Sequence, residues 1–172
     1  NLKNYSPDLG ALVIKEPYFS SRTANTNDKW HIIICVDQSG SMVDSVIHSA
    51  VTASIFWGIR SLESSLVVFD TEVVDLSHDC GDPVETLMKV QLGGGTDIAG
   101  ALWYCQSLVH KPRKTIVVLV TDFYEGGSEA CLFRTTKELV ESGVTLLGLA
   151  ALDPECAPCY CETTARKMAA LG

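Results

Sequence analysis

The sequence contains no apolar run approaching the ~20 residues that a bilayer-spanning helix needs, so nothing in it reads as a membrane span. Positive charge is scarce as well. Lys and Arg number 13 against 21 Asp and Glu, which gives a formal net charge of −8 and a pI near 4.9. The only short basic cluster is HKPRK, His110 to Lys114. A nucleic-acid binder needs a basic face to neutralise phosphates, and one solvated loop does not supply it. Also missing are a P-loop, a G-x-S-x-G elbow, internal repeats and low-complexity tracts.

What is present is enough for one domain. At 172 residues and 47% hydrophobic composition the chain can bury a substantial core, but two comfortable domains would need more. Seven cysteines, an odd number scattered along the chain, read as reduced thiols of a cytoplasmic protein. Cys35 lies inside an apolar strand pattern and Cys105 inside a helical one. The crowded stretch PECAPCYC, with Cys156, Cys159 and Cys161, has C-x-x-C spacing that suits a metal or a redox pair. No fourth ligand accompanies it and no helix starts at its first cysteine, so it is read as a loop.

Residues 1–29 form a polar arm with one apolar burst, Ala11 to Ile14. From His31 onward strands and helices alternate. HIIICV is a continuous apolar, β-branched run, as a strand buried on both faces requires. The apolar spacing from Val43 to Leu62 is helical, and His48 within it is a packing or surface residue. SLVVFD and EVVDLS are joined too tightly for anything but a hairpin, so one of them runs antiparallel, at an edge. DPVETLMKV makes a short helix with Pro83 in its first turn. LGGGTD opens a helix from Ile98 to about Val109, in which Trp103, like Trp57 in the earlier helix, is read as core. KTIVVLVTD is a second buried strand, and a helix over Glu129 to Ser142 stops at Gly143. VTLLGLAAL reads as a third buried strand, and Thr163 to Leu171 as a last helix. The pattern implies an open, mostly parallel α/β sheet with one antiparallel edge strand and helices on both faces.

In such a sheet the carboxyl ends of the parallel strands share one edge, where ligands bind. Asp37, Ser39 and Ser41 follow the first strand in DQSGS, Thr96 sits in the glycine-rich loop, and Asp122 closes the second buried strand. Each of these groups offers oxygen, and none offers sulfur or imidazole. Hard cations such as Mg²⁺ prefer that set and keep several waters. Two carboxylates would neutralise a dication, and three hydroxyls add ligands without adding charge. Gly40 and Gly93 to Gly95 would let backbone and ion approach closely. Taken singly, DQSGS could be a helix N-cap and Asp122 a turn residue; the coincidence of all three loops favours a cation cage.

Asp37-x-Ser39-x-Ser41, Thr96 in GGGTD and the strand-ending Asp122 resemble the metal-ion-dependent adhesion site of von Willebrand factor A (vWA) domains. The resemblance runs from His31 to about Gly172 and implies a Rossmann-like sheet with one antiparallel edge strand. It implies that Ser39, Ser41 and Thr96 ligate Mg²⁺ directly, with Mn²⁺ or Ca²⁺ able to substitute, while Asp37 and Asp122 act largely through water. The remaining position would accept a Glu or Asp from a protein partner. The wording DQSGSM, LGGGTD and TDFYEGG is closer to the intracellular prokaryotic branch, which is linked with MoxR-type AAA+ ATPases. The family fold has a further strand after the last helix; either the arm strand near Ala11 to Ile14 takes its place or the domain, 30–172 here, continues past Gly172.

The expectation is therefore a cytoplasmic, non-enzymatic, Mg²⁺-dependent protein-binding module, an adaptor for an AAA+ ATPase or its substrate, touching neither nucleic acid nor membrane. The competing reading is a metal-dependent phosphatase or hydrolase of an α/β fold. Enzymes of the haloacid-dehalogenase type need a second acid two residues after the first, where this sequence has Ser39.

Overall fold

The computed structural model describes residues 5–6, 11–12, 29–59, 62–78, 82–89, 94–152 and 157–172. Most of the arm, Leu92, Gly93 and Cys156 lie outside the described residues. Two short strands of the arm, β1 (Tyr5–Ser6) and β2 (Ala11–Leu12), pair antiparallel with each other. Ala11 and Leu12 thus join a ladder of their own, and among the described residues they pair with no strand of the main sheet; the rest of the burst, Val13 and Ile14, lies outside the described residues.

The main sheet contains β3 (Trp30–Asp37), β4 (Leu62–Phe69), β5 (Val73–Asp75), β6 (Thr115–Thr121) and β7 (Thr145–Ala150), in the order β5-β4-β3-β6-β7. All pairings are parallel except β4 with β5, which forms the expected hairpin at one edge. From β3 the chain builds outward to β4 and β5 on one side, then crosses to β6 and β7 on the other. That reversal puts a crevice at the carboxyl ends of β3 and β6.

β3 and β6 are central because their side chains are apolar on both faces. On one face Ile33, Cys35, Val117 and Leu119 pack against α3 (Ile98–Ser107), α4 (Glu129–Glu141) and α5 (Glu162–Ala169) through Leu102, Cys105, Leu132, Leu139 and Met168. On the other, Ile34, Val36, Val118 and Val120 meet Ala50 and Ala53 of α1 (Val46–Trp57) and Leu87 of α2 (Pro83–Lys89). Each Val, Leu, Ile or Met among them that is fully removed from water contributes roughly 1.5–3 kcal/mol.

Several boundaries differ from the sequence reading. The helical spacing begun at Val43 starts as a 3₁₀ turn, Gly40–Ser45, and ends at Trp57; Leu62 already belongs to β4. β7 is the larger correction. Its apolar run suggested burial on both faces, yet Leu147 is 43% exposed and Leu149 37% exposed. These residues stand beside Val118 and Val120, on the face covered by α1 and α2, and among the described residues neither helix extends over β7. Trp103, read as core, is 67% exposed, because α3 turns Ile98, Leu102 and Cys105 toward the sheet and Trp103 away from it. Trp57 packs against the core as expected.

Candidate functional site

The three loops do meet at the carboxyl edge of the sheet. Asp37 is the last residue of β3 and fully buried, and its Oδ1 accepts the amide of Ser39 at 2.9 Å. That turn directs Ser39, itself buried, back over the strand end. The 3₁₀ turn beginning at Gly40 then brings the Ser41 hydroxyl to 3.2 Å from that of Ser39. The Gly40 amide donates to the carbonyl of Gly94 at 3.3 Å, which fastens this first loop to the glycine-rich one.

Thr96 reaches the same edge through its backbone. Its carbonyl accepts the amide of Gly126 at 2.9 Å, joining it to the loop after β6. A Cβ on Gly126 would stand 2.6 Å from that carbonyl, so the approach requires glycine there. The following residue, Asp97, donates its amide to the Asp70 carbonyl at 2.8 Å and caps α3 by accepting from the Gly100 amide at 2.8 Å. Glu125 adds a second acidic cap, accepting from the Ile98 amide at 3.0 Å across 27 residues of sequence. Both carboxylates sit where the helix presents unpaired N–H groups. Burial raises the Glu125 pKa and the nearby Asp97 adds to the rise, against hydrogen bonds from Gly127 and Ile98.

Asp122 immediately follows β6, is buried, and accepts the Tyr124 amide at 3.1 Å. Its carbonyl receives the Cys161 amide at 2.7 Å. The next residue, Phe123, has φ 60, in the left-handed region where a side chain costs roughly 1–2 kcal/mol. The whole turn is therefore held by its surroundings.

The electrostatics point one way. Burial raises the pKa of Asp37, hydrogen bonds from Thr121 and Ser39 oppose the rise, and the charge of Asp122 adds to it. No Lys or Arg pairs with Asp37 or Asp122 in the ion pairs of the described residues. Two neighbouring buried acids without a counter-charge are a place where a cation would be favourable. The residues fit a hard one. The 3.2 Å between the serine hydroxyls is close to the ~3.0 Å edge of an octahedron with metal–oxygen bonds of about 2.1 Å. Among the described residues no group of three His, Cys, Asp or Glu could hold a metal, so a cation at this edge would need hydroxyls and water beside the two acids. Of the thiol cluster, Cys159 and Cys161 are free thiols just before α5, and Cys156 lies outside the described residues.

Three participants were not singled out in the sequence. Thr121 is fully buried and donates to Asp37 Oδ2 at 2.6 Å. Asp70 accepts the amides of Glu72 at 2.7 Å and Gly94 at 3.0 Å, binding the hairpin to the glycine-rich loop. Burial alone would raise its pKa, but these hydrogen bonds outweigh it and hold it low. Glu125 is the third. A signal existed for Asp70, since it ends an apolar strand just as Asp37 and Asp122 do.

A family model described as VWA domain containing CoxE-like protein matches residues 1–172. The chain is 51% identical over 172 residues to the uncharacterized protein YehP of Escherichia coli (strain K12), which covers 100% of the chain and 46% of that protein. The chain thus spans about half the length of this curated relative. Among solved structures, an aerotolerance-related membrane protein from Bacteroides fragilis NCTC 9343, carrying multiple mutations to serines, aligns with a TM-score of 0.64 at 15% identity, over 83% of this chain and 88% of that one. A von Willebrand factor type A protein from Catenulispora acidiphila aligns with a TM-score of 0.59 at 18% identity, over 83% and 37%. At such identities these two likenesses concern the fold.

Proposed function

The chain belongs to the family of VWA domain containing CoxE-like proteins, and from that premise we propose that it is a non-enzymatic, Mg²⁺-dependent protein-binding module. Ser39, Ser41 and Thr96 hold the ion through their hydroxyls, and Asp37 and Asp122 act largely through water. The observation that carries this reading is the pair of buried acids, Asp37 and Asp122, which have no ion-pair partner among the described residues and stand beside two hydroxyls at octahedral spacing. When bound, the ion supplies an open coordination position for a Glu or Asp of a partner.

The protein's own groups do the rest. Asp37 fixes Ser39 through the 2.9 Å amide bond, and Thr121 fixes Asp37. Asp97 and Glu125 hold the start of α3, and with it the loop carrying Thr96. Tyr124 is 56% exposed two residues beyond Asp122, and it offers a partner an aromatic surface beside the acid, as interfaces commonly do. His31, whose imidazole bonds the Ser65 hydroxyl at 2.8 Å, lies toward the amino-terminal end of β3, away from this edge.

The partner proposed is a MoxR-type AAA+ ATPase or its substrate in the cytoplasm. Among the described residues no helix is long and apolar enough to cross a membrane. Capture of partners from native cytoplasm, with and without EDTA and with Asp37→Ala, tests the proposal. The ATPase should be retained by the wild-type chain with Mg²⁺ and lost with chelator or substitution; retention unchanged in all three contradicts it.

A further inference from the structure

The turn that carries Asp122 is gripped from behind by elements remote from the site. Phe123, with φ 60, turns its ring inward until the residue is only 5% exposed. The ring lies edge-on to Tyr160, with centroids 6.2 Å apart and planes at 67°. Its far edge lies over the bare backbone of Gly148 in β7. A Cβ built there would stand 2.8 Å from Phe123 Cζ and 3.3 Å from Cε1, closer than carbon atoms pack. The residue after Tyr160, Cys161, donates its amide to the Asp122 carbonyl at 2.7 Å. On the other side the Phe123 amide donates to Thr121 Oγ1 at 3.2 Å, the same oxygen that donates to Asp37.

We propose that Gly148 is a positioning residue for the metal site, acting through the Phe123 ring, so that β7 and the loop before α5 set where Asp122 stands. This inference deepens, and rests on, the reading of Asp122 as a cation-holding residue. A residue forced into the left-handed region stays there only if its surroundings over-determine it. Here the surroundings are the Tyr160 ring, the glycine surface and two amide hydrogen bonds. Beside the ring lies a cavity of about 290 Å³, lined by Leu119, Leu146, Tyr160, Met168 and Gly148 among others. A methyl added at Gly148 therefore displaces the ring into free space. The displaced ring pulls on the peptide between Asp122 and Phe123, and the fold survives.

The test is a double-mutant cycle on the 172-residue chain, with Gly148→Ala, Phe123→Leu and the pair. Leucine lacks the ε and ζ atoms that the new methyl would strike. Two readouts are taken: Mg²⁺ affinity by calorimetry, and the metal-free amide resonances of Tyr124 and Cys161, whose N–H groups bond Asp122. Gly148→Ala should shift both amide resonances and weaken Mg²⁺ about tenfold while the protein still melts cooperatively. In the Phe123→Leu background the same change should weaken it less than about twofold. Unmoved amide resonances in Gly148→Ala overturn the inference, as does an equal loss of affinity in both backgrounds. Should the wild-type chain bind no Mg²⁺, the functional reading fails, and the amide shifts and their dependence on Phe123 still decide whether Gly148 positions Asp122.

Discussion

Thr121 Oγ1 donates a 2.6 Å hydrogen bond to Asp37 Oδ2, joining the ends of two adjacent parallel strands across 84 residues of sequence. The bond stabilises a buried carboxylate that burial and Asp122 both press toward protonation. Thr121→Val keeps the shape and removes the hydroxyl. A lost hydrogen bond to a charged group costs about 1.5–3 kcal/mol, so urea denaturation at neutral pH should show a loss in that range. Thr121→Ser should recover most of it.

A second prediction concerns pH. Asp75 accepts from the Tyr104 hydroxyl at 3.0 Å and from the Ser77 amide at 2.8 Å. Burial would raise its pKa, but the hydrogen bonds from Ser77 and Tyr104 outweigh it and hold it low. Tyr104 is raised, by burial first and then by its bond to the carboxylate. A lowered acid contributes stability above its unfolded pKa, near 3.9, and loses it as pH falls through the folded value. A raised phenol contributes below its unfolded pKa, near 10, and loses it as pH rises through the folded value. Tyr104→Phe should therefore cost about 1 kcal/mol, the low end for a half-exposed pair, between roughly pH 4 and 10. The difference from wild type should shrink at both extremes in denaturation curves taken across that span.

Packing makes a third. Leu119 of β6 is fully buried, whereas Leu147 on the neighbouring strand is 43% exposed. Leu119→Ala should destabilise this chain by about 2–5 kcal/mol, and Leu147→Ala by under ~1 kcal/mol. Equal losses in thermal or chemical denaturation would mean that β7 is covered on the face the structure leaves open.

Much of this was legible in the sequence, for physical reasons. A strand buried on both faces must be apolar throughout, so β3 and β6 announced themselves. A link as short as Asp70-Thr71-Glu72 allows only a hairpin. The ends of those strands named Asp37 and Asp122, and the loop glycines named the neighbourhood of Thr96. What stayed hidden depended on what lies beside each residue. VTLLGLAAL is as apolar as the central strands, and only the sheet order reveals that its α1/α2 face is left exposed among the described residues. Trp103 fits a helical period, yet the period does not say which side meets the sheet. Thr121 is one hydroxyl in a strand, and its tie to Asp37 exists only because β3 and β6 are neighbours. Phe123 gave no hint of its left-handed backbone.

The most direct test of the account is calorimetric titration of Mg²⁺ into the wild-type chain and into Asp37→Asn, Ser39→Ala and Thr96→Ala. One ion should bind per chain with a dissociation constant of roughly millimolar or tighter. Each substitution should weaken it at least about tenfold in protein that still unfolds cooperatively, because each removes a ligand or its support. No binding by the wild-type chain, or variants that bind as it does, would contradict the central claim.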